Sequence, residues 1–107
     1  FVGNPAPFFS IETTSAATHS LTTVANQRVL VIAKGTIVGD SAEMTVNLKY
    51  NGVTKDTVAV RTGTSSYKTQ FCLMYSEIPG AATQNVTVEG SHTLDNVKIV
   101  VEKLLVG

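Results

Sequence analysis

From Glu43 to Tyr50 the chain alternates without a fault. Met44, Val46, Leu48 and Tyr50 fall on one side, and Glu43, Thr45, Asn47 and Lys49 on the other. A period of two residues marks a strand with one buried face. No apolar set recurs at helical spacing over ten residues or more. The same two-residue period predicts strands at Phe8–Glu12, Leu21–Ala25, Arg28–Val38, Val53–Arg61, Tyr67–Tyr75, Asn85–Glu89 and Val97–Val106. Small and polar runs separate them: 13–20, 62–66, 77–84 (with room for one helical turn) and 90–96. Some seven or eight strands at even spacing predict an all-β chain, an antiparallel β-sandwich or jelly roll. Residues 1–107 read as a single domain, with 1–7 an extended lead-in.

Asn51-Gly52 is a strong hairpin signal. A two-residue loop in perfect register would turn Val58 and Val60 away from Met44, Val46 and Leu48. A three-residue loop, Tyr50 to Gly52, restores them to the apolar side. The pattern therefore predicts Lys49 opposite Val53 and Gly52 in a left-handed bulge.

Three segments break the alternation. VLVIA from Val29, the end of FCLMY, and KIVVEKLLV carry apolar residues on both sides. Val29, Val31, Ala33 and Ile37 are expected to face the core. Leu30 and Ile32 share a side with Arg28 and Lys34, and so face outward. A flap carrying Phe8 and Phe9 is one cover for that side, but it is short for three segments. Apolar surface that a monomer would expose marks an interface. Leu30, Ile32, Met74, Val100 and Leu104 are accordingly expected at an oligomer interface, with ring closure the economical arrangement.

Composition narrows the function. The chain has 107 residues, 15 valines and 15 threonines, a formal net charge of zero and 15% charged residues. Valine and threonine suit a half-buried sheet. The charge balance argues against a nucleic-acid partner, which leaves a basic footprint, and against a polybasic membrane anchor. No run approaches the roughly 18 apolar residues of a membrane span, so no membrane insertion is expected. The start, FVGNPAPFF, has neither an initiator Met nor the basic flank of a signal peptide; an excised or trimmed chain is expected. The single cysteine, Cys72, has no internal disulfide partner and reads as a small hydrophobe in a strand.

Candidate chemistry is sparse. Gly39-Asp40-Ser41 resembles the start of a lipase and esterase family whose serine is the nucleophile. It lacks an Asp-x-x-His partner, since His92-Thr93-Leu94-Asp95 runs in reverse order, and it reads as a plain turn. His19 and His92 with Cys72 match no metal-ligand spacing; surface histidines, or histidines meeting symmetry mates at a trimer axis, are the readings. Asn85-Val86-Thr87 fits a glycosylation sequon but falls in a strand. Eight acids are scattered singly, unlike a glycosidase pair across a cleft. No enzyme, catalytic residue, metal or cofactor is expected.

The phrases VLVIAKG, VNLKYNG, FCLMYSEIPGAATQNVTVE and VKIVVEKL, spread over residues 28–105, resemble C-terminal head domains of bacteriophage tail fibres and tail needles. Those heads are trimeric sandwiches of the tumour-necrosis-factor and C1q jelly-roll type. The resemblance implies a virion appendage, a homotrimer, and recognition of a host cell-surface glycan or protein. It carries no fixed binding residues to this chain. Binding on such scaffolds sits on loops, which nominates Ser65, Ser66, Tyr67, Lys68 and His92, along with the 39–42 turn. Two alternatives stand beside it. A carbohydrate-binding module would be monomeric, with Tyr50, Tyr67 or Tyr75 as its aromatic platform. A capsid decoration or minor capsid protein would share the trimer but bind capsid.

Overall fold

A computed structural model describes residues 9–39, 43–61 and 67–105, except the side chains of Phe9, Arg61 and Tyr67. Eight strands appear: β1 Phe9–Thr14, β2 Thr18–Thr23, β3 Gln27–Gly39, β4 Glu43–Tyr50, β5 Val53–Arg61, β6 Tyr67–Glu77, β7 Ala82–Gly90 and β8 Thr93–Leu105. They form two four-stranded sheets, β1-β8-β3-β6 and β2-β7-β4-β5, with every pair antiparallel. Only β4 and β5 follow one another within a sheet; every other connection crosses to the opposite sheet. The 77–84 segment makes no helical turn: β6 runs to Glu77 and β7 starts at Ala82. Expected strand ends otherwise shift by a few residues, most at Thr18, Ala82 and Thr93, where strand begins before the apolar pattern does.

The core lies between the sheets. Val29, Val31, Ala33 and Ile37 of β3, Phe71 and Leu73 of β6, and Val97, Ile99 and Val101 of β8 meet Met44, Val46, Leu48 and Tyr50 of β4, and Val86 and Val88 of β7. On β3 and β4 these are the positions that the two-residue period assigned inward. Burying a Val, Leu or Ile side chain is worth about 1.5–3 kcal/mol, so a one-residue slip that turned a strand over would be heavily disfavoured.

The hairpin corrects one expectation and upholds its purpose. Tyr50 pairs with Val53, not Lys49 with Val53. Asn51 (φ 52°) and Gly52 (φ 82°) both take left-handed conformations, the type I′ geometry whose twist matches the flanking strands. The register then shifts, with Lys49 opposite Thr54 but Leu48 opposite Asp56, so Lys55 is the extra residue. That bulge brings Val58 opposite Val46 and Val60 opposite Met44. The apolar pattern is satisfied two residues into the strand instead of inside the turn.

A second bulge lies in β8. Lys34 pairs with Lys98 and Thr36 with Asp95, so Asn96 and Val97 together oppose Gly35. Asn96 sits at φ 54°, a conformation that Asn tolerates better than most residues. Gly35 is required here by close approach. A methyl group on it would lie 2.9 Å from the Phe71 ring and 3.1 Å from Val97 Cα.

One end of the sandwich is closed by buried amides. Gln84 accepts a hydrogen bond from Asn51 Nδ2 at 2.6 Å and donates to Thr23 Oγ1 at 3.3 Å. Thr23 donates to the Gly80 carbonyl, and Gln27 Oε1 accepts from Val24 N–H. These bonds tie three chain connections together and satisfy Thr23, Gln27 and Gln84, which are almost fully buried.

Candidate functional site

The outward side of the β1-β8-β3-β6 sheet is not uniform. Register places its residues in rows across the strands. Ile11, Glu102, Leu30 and Ser76 make one row, and Thr13, Val100, Ile32 and Met74 the next. Leu104 and Arg28 flank the first. Ile11, Met74 and Leu104 are exposed, while Leu30, Ile32 and Val100 are half-buried. All five residues expected at an oligomer interface therefore lie on one outward face. Phe9, expected in a covering flap, opens β1, which extends the sheet as an edge strand against β8; its side chain is outside what is described. Phe8 lies outside the described residues.

Two residues further along β3 the character changes. The next row is Lys98, Lys34 and Cys72, followed by Asp95, Thr36 and Gln70. Here the sheet surface dips into an open groove of about 590 Å³, lined by Lys34, Gly35, Thr36, Gln70, Phe71, Cys72, Asn96 and Lys98. That volume falls in the roughly 300–1,000 Å³ range of small-molecule sites. The cause is local. The β8 bulge sets Asn96 and Val97 together opposite Gly35 and breaks the regular rows of outward side chains. Lys34, Gln70, Cys72, Asn96 and Lys98 are exposed around the depression and Thr36 is half-buried. The donors and acceptors are two ammonium groups, two carboxamides and one hydroxyl.

Lys34 and Lys98 stand directly opposite one another. Opposed Cβ atoms in an antiparallel pair lie about 4.5–5.5 Å apart, and like charges there are destabilising. Among the described residues neither lysine has an ion-pair or hydrogen-bond partner. Lys49 and Lys103 behave differently: Lys49 pairs with Glu89 at 2.9 Å, and Lys103 pairs with Glu12.

The loop residues nominated from sequence are placed unevenly. Ser65 and Ser66 lie outside the described residues, as do Asp40 and Ser41 of the turn. Tyr67 opens β6, but its side chain is outside what is described. Lys68 is exposed and shares the groove's outward face, two residues from Gln70. His92 is at the same end of the sandwich but not in the groove. Its ring packs over Gly39, where a methyl would come within 2.8 Å of it, and its Nδ1 lies 2.8 Å from Ser91 Oγ. His19 corrects the reading of a surface loop histidine: it lies in β2, half-buried, 3.1 Å from Glu12. Cys72 corrects the reading of a buried hydrophobe, because its side of β6 faces outward at the groove.

Tyr50 and Tyr75 do not make an exposed platform, and the Tyr67 side chain is outside what is described. Tyr50 is buried, with its ring 5.3 Å from that of Tyr75, and its phenol is pushed up by desolvation and by the Glu77 charge. Tyr75 is half-buried; its hydroxyl donates to Glu77, and that bond raises its pKa to about 12. Both point to the core side of their strands. Among the described residues no group of three or more His, Cys, Asp and Glu is arranged to hold a metal. Among them, too, no helix is long and apolar enough to cross a membrane.

The groove was absent from the sequence reading, though two signals for it were present. An isolated Gly inside a strand pattern, Gly35 in AKGTI, marks a bulge or a close approach. Asn96, just ahead of the apolar run of β8, is a residue that accepts left-handed backbone.

No protein-family model matches this sequence, and no curated protein matches it. Among solved structures the fold is similar to one described as "EclA C-terminal domain; sugar-binding protein". That likeness has a TM-score of 0.48 and 10% identity, over 94% of this chain and 78% of that chain.

Proposed function

We propose that this domain is a glycan-binding module that acts in adhesion, without catalysis. The observation that carries the proposal is the groove on the outward face, where Lys34, Thr36, Gln70, Asn96 and Lys98 converge. Carboxamides, ammonium groups and a hydroxyl offer both donors and acceptors, the complement of a ligand dense in hydroxyl groups. A small set of placed polar groups in a depression is the usual construction of a specific ligand site. Recognition on this reading runs through hydrogen bonds and not through stacking on aromatic rings, because Tyr50 and Tyr75 face the core. The strand order, 1-8-3-6 against 2-7-4-5, supports a jelly-roll path, an architecture used by lectin and viral capsid domains alike.

A glycan microarray probed with the labelled domain tests this, followed by NMR titration with the best binder. The expected outcome is selective binding, with the largest amide shifts at Lys34–Thr36, Gln70–Cys72 and Asn96–Lys98. Absence of binding across neutral and charged glycans overturns it.

A second reading concerns assembly, and the apolar rows beside the groove favour it. Leu30, Ile32, Met74, Val100 and Leu104 would pack against copies of the same chain, giving a trimeric head of a phage tail fibre or a similar virion appendage. The groove, two residues along β3 from Ile32, would then face the host. Light scattering after size exclusion decides: a mass near 11.3 kDa at micromolar concentration defeats assembly and leaves the glycan reading in place.

A further inference from the structure

The geometry points to an acidic carbohydrate, one bearing a carboxylate such as a uronate or a sialate, as the groove's ligand. This inference rests on the glycan-binding reading and names the ligand class for the same site.

The argument starts from Lys34 and Lys98. They oppose one another across the β3–β8 ladder, on the outward face, at the groove. Such a pair works against the sheet that holds it. Two other lysines are neutralised by protein carboxylates, Lys103 by Glu12 and Lys49 by Glu89, and Lys55 lies over the Tyr75 ring. The acid nearest in register is Asp95, in the adjacent row opposite Thr36, and it is not within ion-pair distance of either lysine. Two ammonium groups held side by side, with no protein anion between them, are suited to receive an anion from outside. Bringing in one carboxylate relieves the repulsion and forms charge-assisted hydrogen bonds, which are stronger than neutral ones.

The neighbouring side chains decide against a bare anion. Gln70 and Asn96 carry carboxamides, and Thr36 a hydroxyl, along the same depression. A free inorganic anion would use the lysines and leave these groups idle. A sugar acid would use both sets: its carboxylate over Lys34 and Lys98, its hydroxyl groups on Gln70, Asn96 and Thr36. The volume of about 590 Å³ is ample for a sugar ring with neighbours on either side. The chain's formal charge is zero, so attraction for an anion would come from this local pair and not from a general basic field.

The test measures binding of the folded domain to a panel of uronate- and sialate-bearing glycans and to the methyl esters of the same glycans. Esterification removes the charge and keeps the sugar. The expected result is at least a tenfold loss of affinity on esterification, and a fall in affinity with added salt. Lys34→Met/Lys98→Met together should abolish the difference between acid and ester. Lys98→Glu should abolish acid binding too, while its thermal midpoint stays level or rises because it can pair with Lys34. Both positions are exposed, so the variants should fold. Equal affinity for acid and ester, or an acid preference that survives the double substitution, overturns the inference and leaves glycan binding standing. Equally tight binding of polyglutamate would make the site a general anion site and overturn it as well. Binding to no glycan, charged or neutral, overturns both this inference and the reading beneath it.

Discussion

The two outward faces of the sandwich obey the same alternation and carry opposite chemistry. On the β2-β7-β4-β5 sheet the outward positions are Thr18, Ser20 and Thr22, Thr83, Asn85 and Thr87, Thr45, Asn47 and Lys49, with Thr57 and Ala59 on β5. They bond to one another across strands, as in Ser20 to Asn85 at 2.7 Å and Thr57 to Asn47 at 2.8 Å. On the β1-β8-β3-β6 sheet the matching positions are Ile11, Leu30, Ile32, Met74 and Val100, giving way to the lysine-flanked groove. The first face is closed upon itself and wants only water. The second leaves apolar surface and charge unpaired, which are the properties of a surface that does something. The difference teaches that alternation assigns a residue to a side, while the residue type at the outward positions says whether that side is finished.

Substitutions can break or sharpen this contrast. The largest effect belongs inside the sheet. Ile99→Ala empties a fully buried position and should cost about 2–5 kcal/mol in urea denaturation. Ile32→Ala, on the outer side of the same sheet, should cost clearly less in dilute monomer. If the two prove equal, the outward face is already packed. Gly35→Ala should come next, at about 1–3 kcal/mol, because the added methyl meets Phe71 and Val97; calorimetry reads it. Asn51→Ala removes the residue that turns the hairpin and bonds Gln84, and should lower stability by about 1 kcal/mol.

Acid probes the seam between the sheets. Burial pushes the Glu12 carboxyl up, but Lys103 and His19 outweigh it and hold its pKa below the ordinary value. The folded state therefore favours the ionised form. Stability from this cluster is present above about pH 4, the ordinary carboxylate range, and is lost as pH falls through the lower folded value. Glu12→Gln should flatten that part of a plot of thermal midpoint against pH. The smallest effect is reserved for the finished face: Thr83→Val, exposed on β7, should change stability by less than about 0.5 kcal/mol.

Much of this was readable from the residues. The inward set of β3 and the outward set that includes Leu30 and Ile32 followed from period two alone. So did the partnership of Val58 and Val60 with β4, though through a bulge at Lys55 that no local pattern announces. The strand order was not readable: Phe9 pairs with Leu104, and Thr18 with Thr87, and alternation carries no information about partners so distant in sequence. The groove escaped for a related reason. It arises where Gly35 of one strand meets Asn96 of another, and each residue alone is ordinary. The amide cluster at the far end is also a product of assembly, since Asn51, Gln84 and Thr23 reach one another only after three separate connections have closed.

The Asp56 carboxylate stands beside the Lys55 bulge. It accepts from Thr57 N–H through Oδ1 at 3.0 Å and from Met74 N–H through Oδ2 at 3.1 Å. Met74 belongs to β6, the edge of its sheet, and an edge strand with free amides is a template for another chain. A charged oxygen from the opposite sheet occupies one of those amides in the middle of the edge. A passing extended peptide would have to displace that acid before it could add a strand. The contact thus blunts the β6 rim at Met74, right beside the apolar rows of its own sheet.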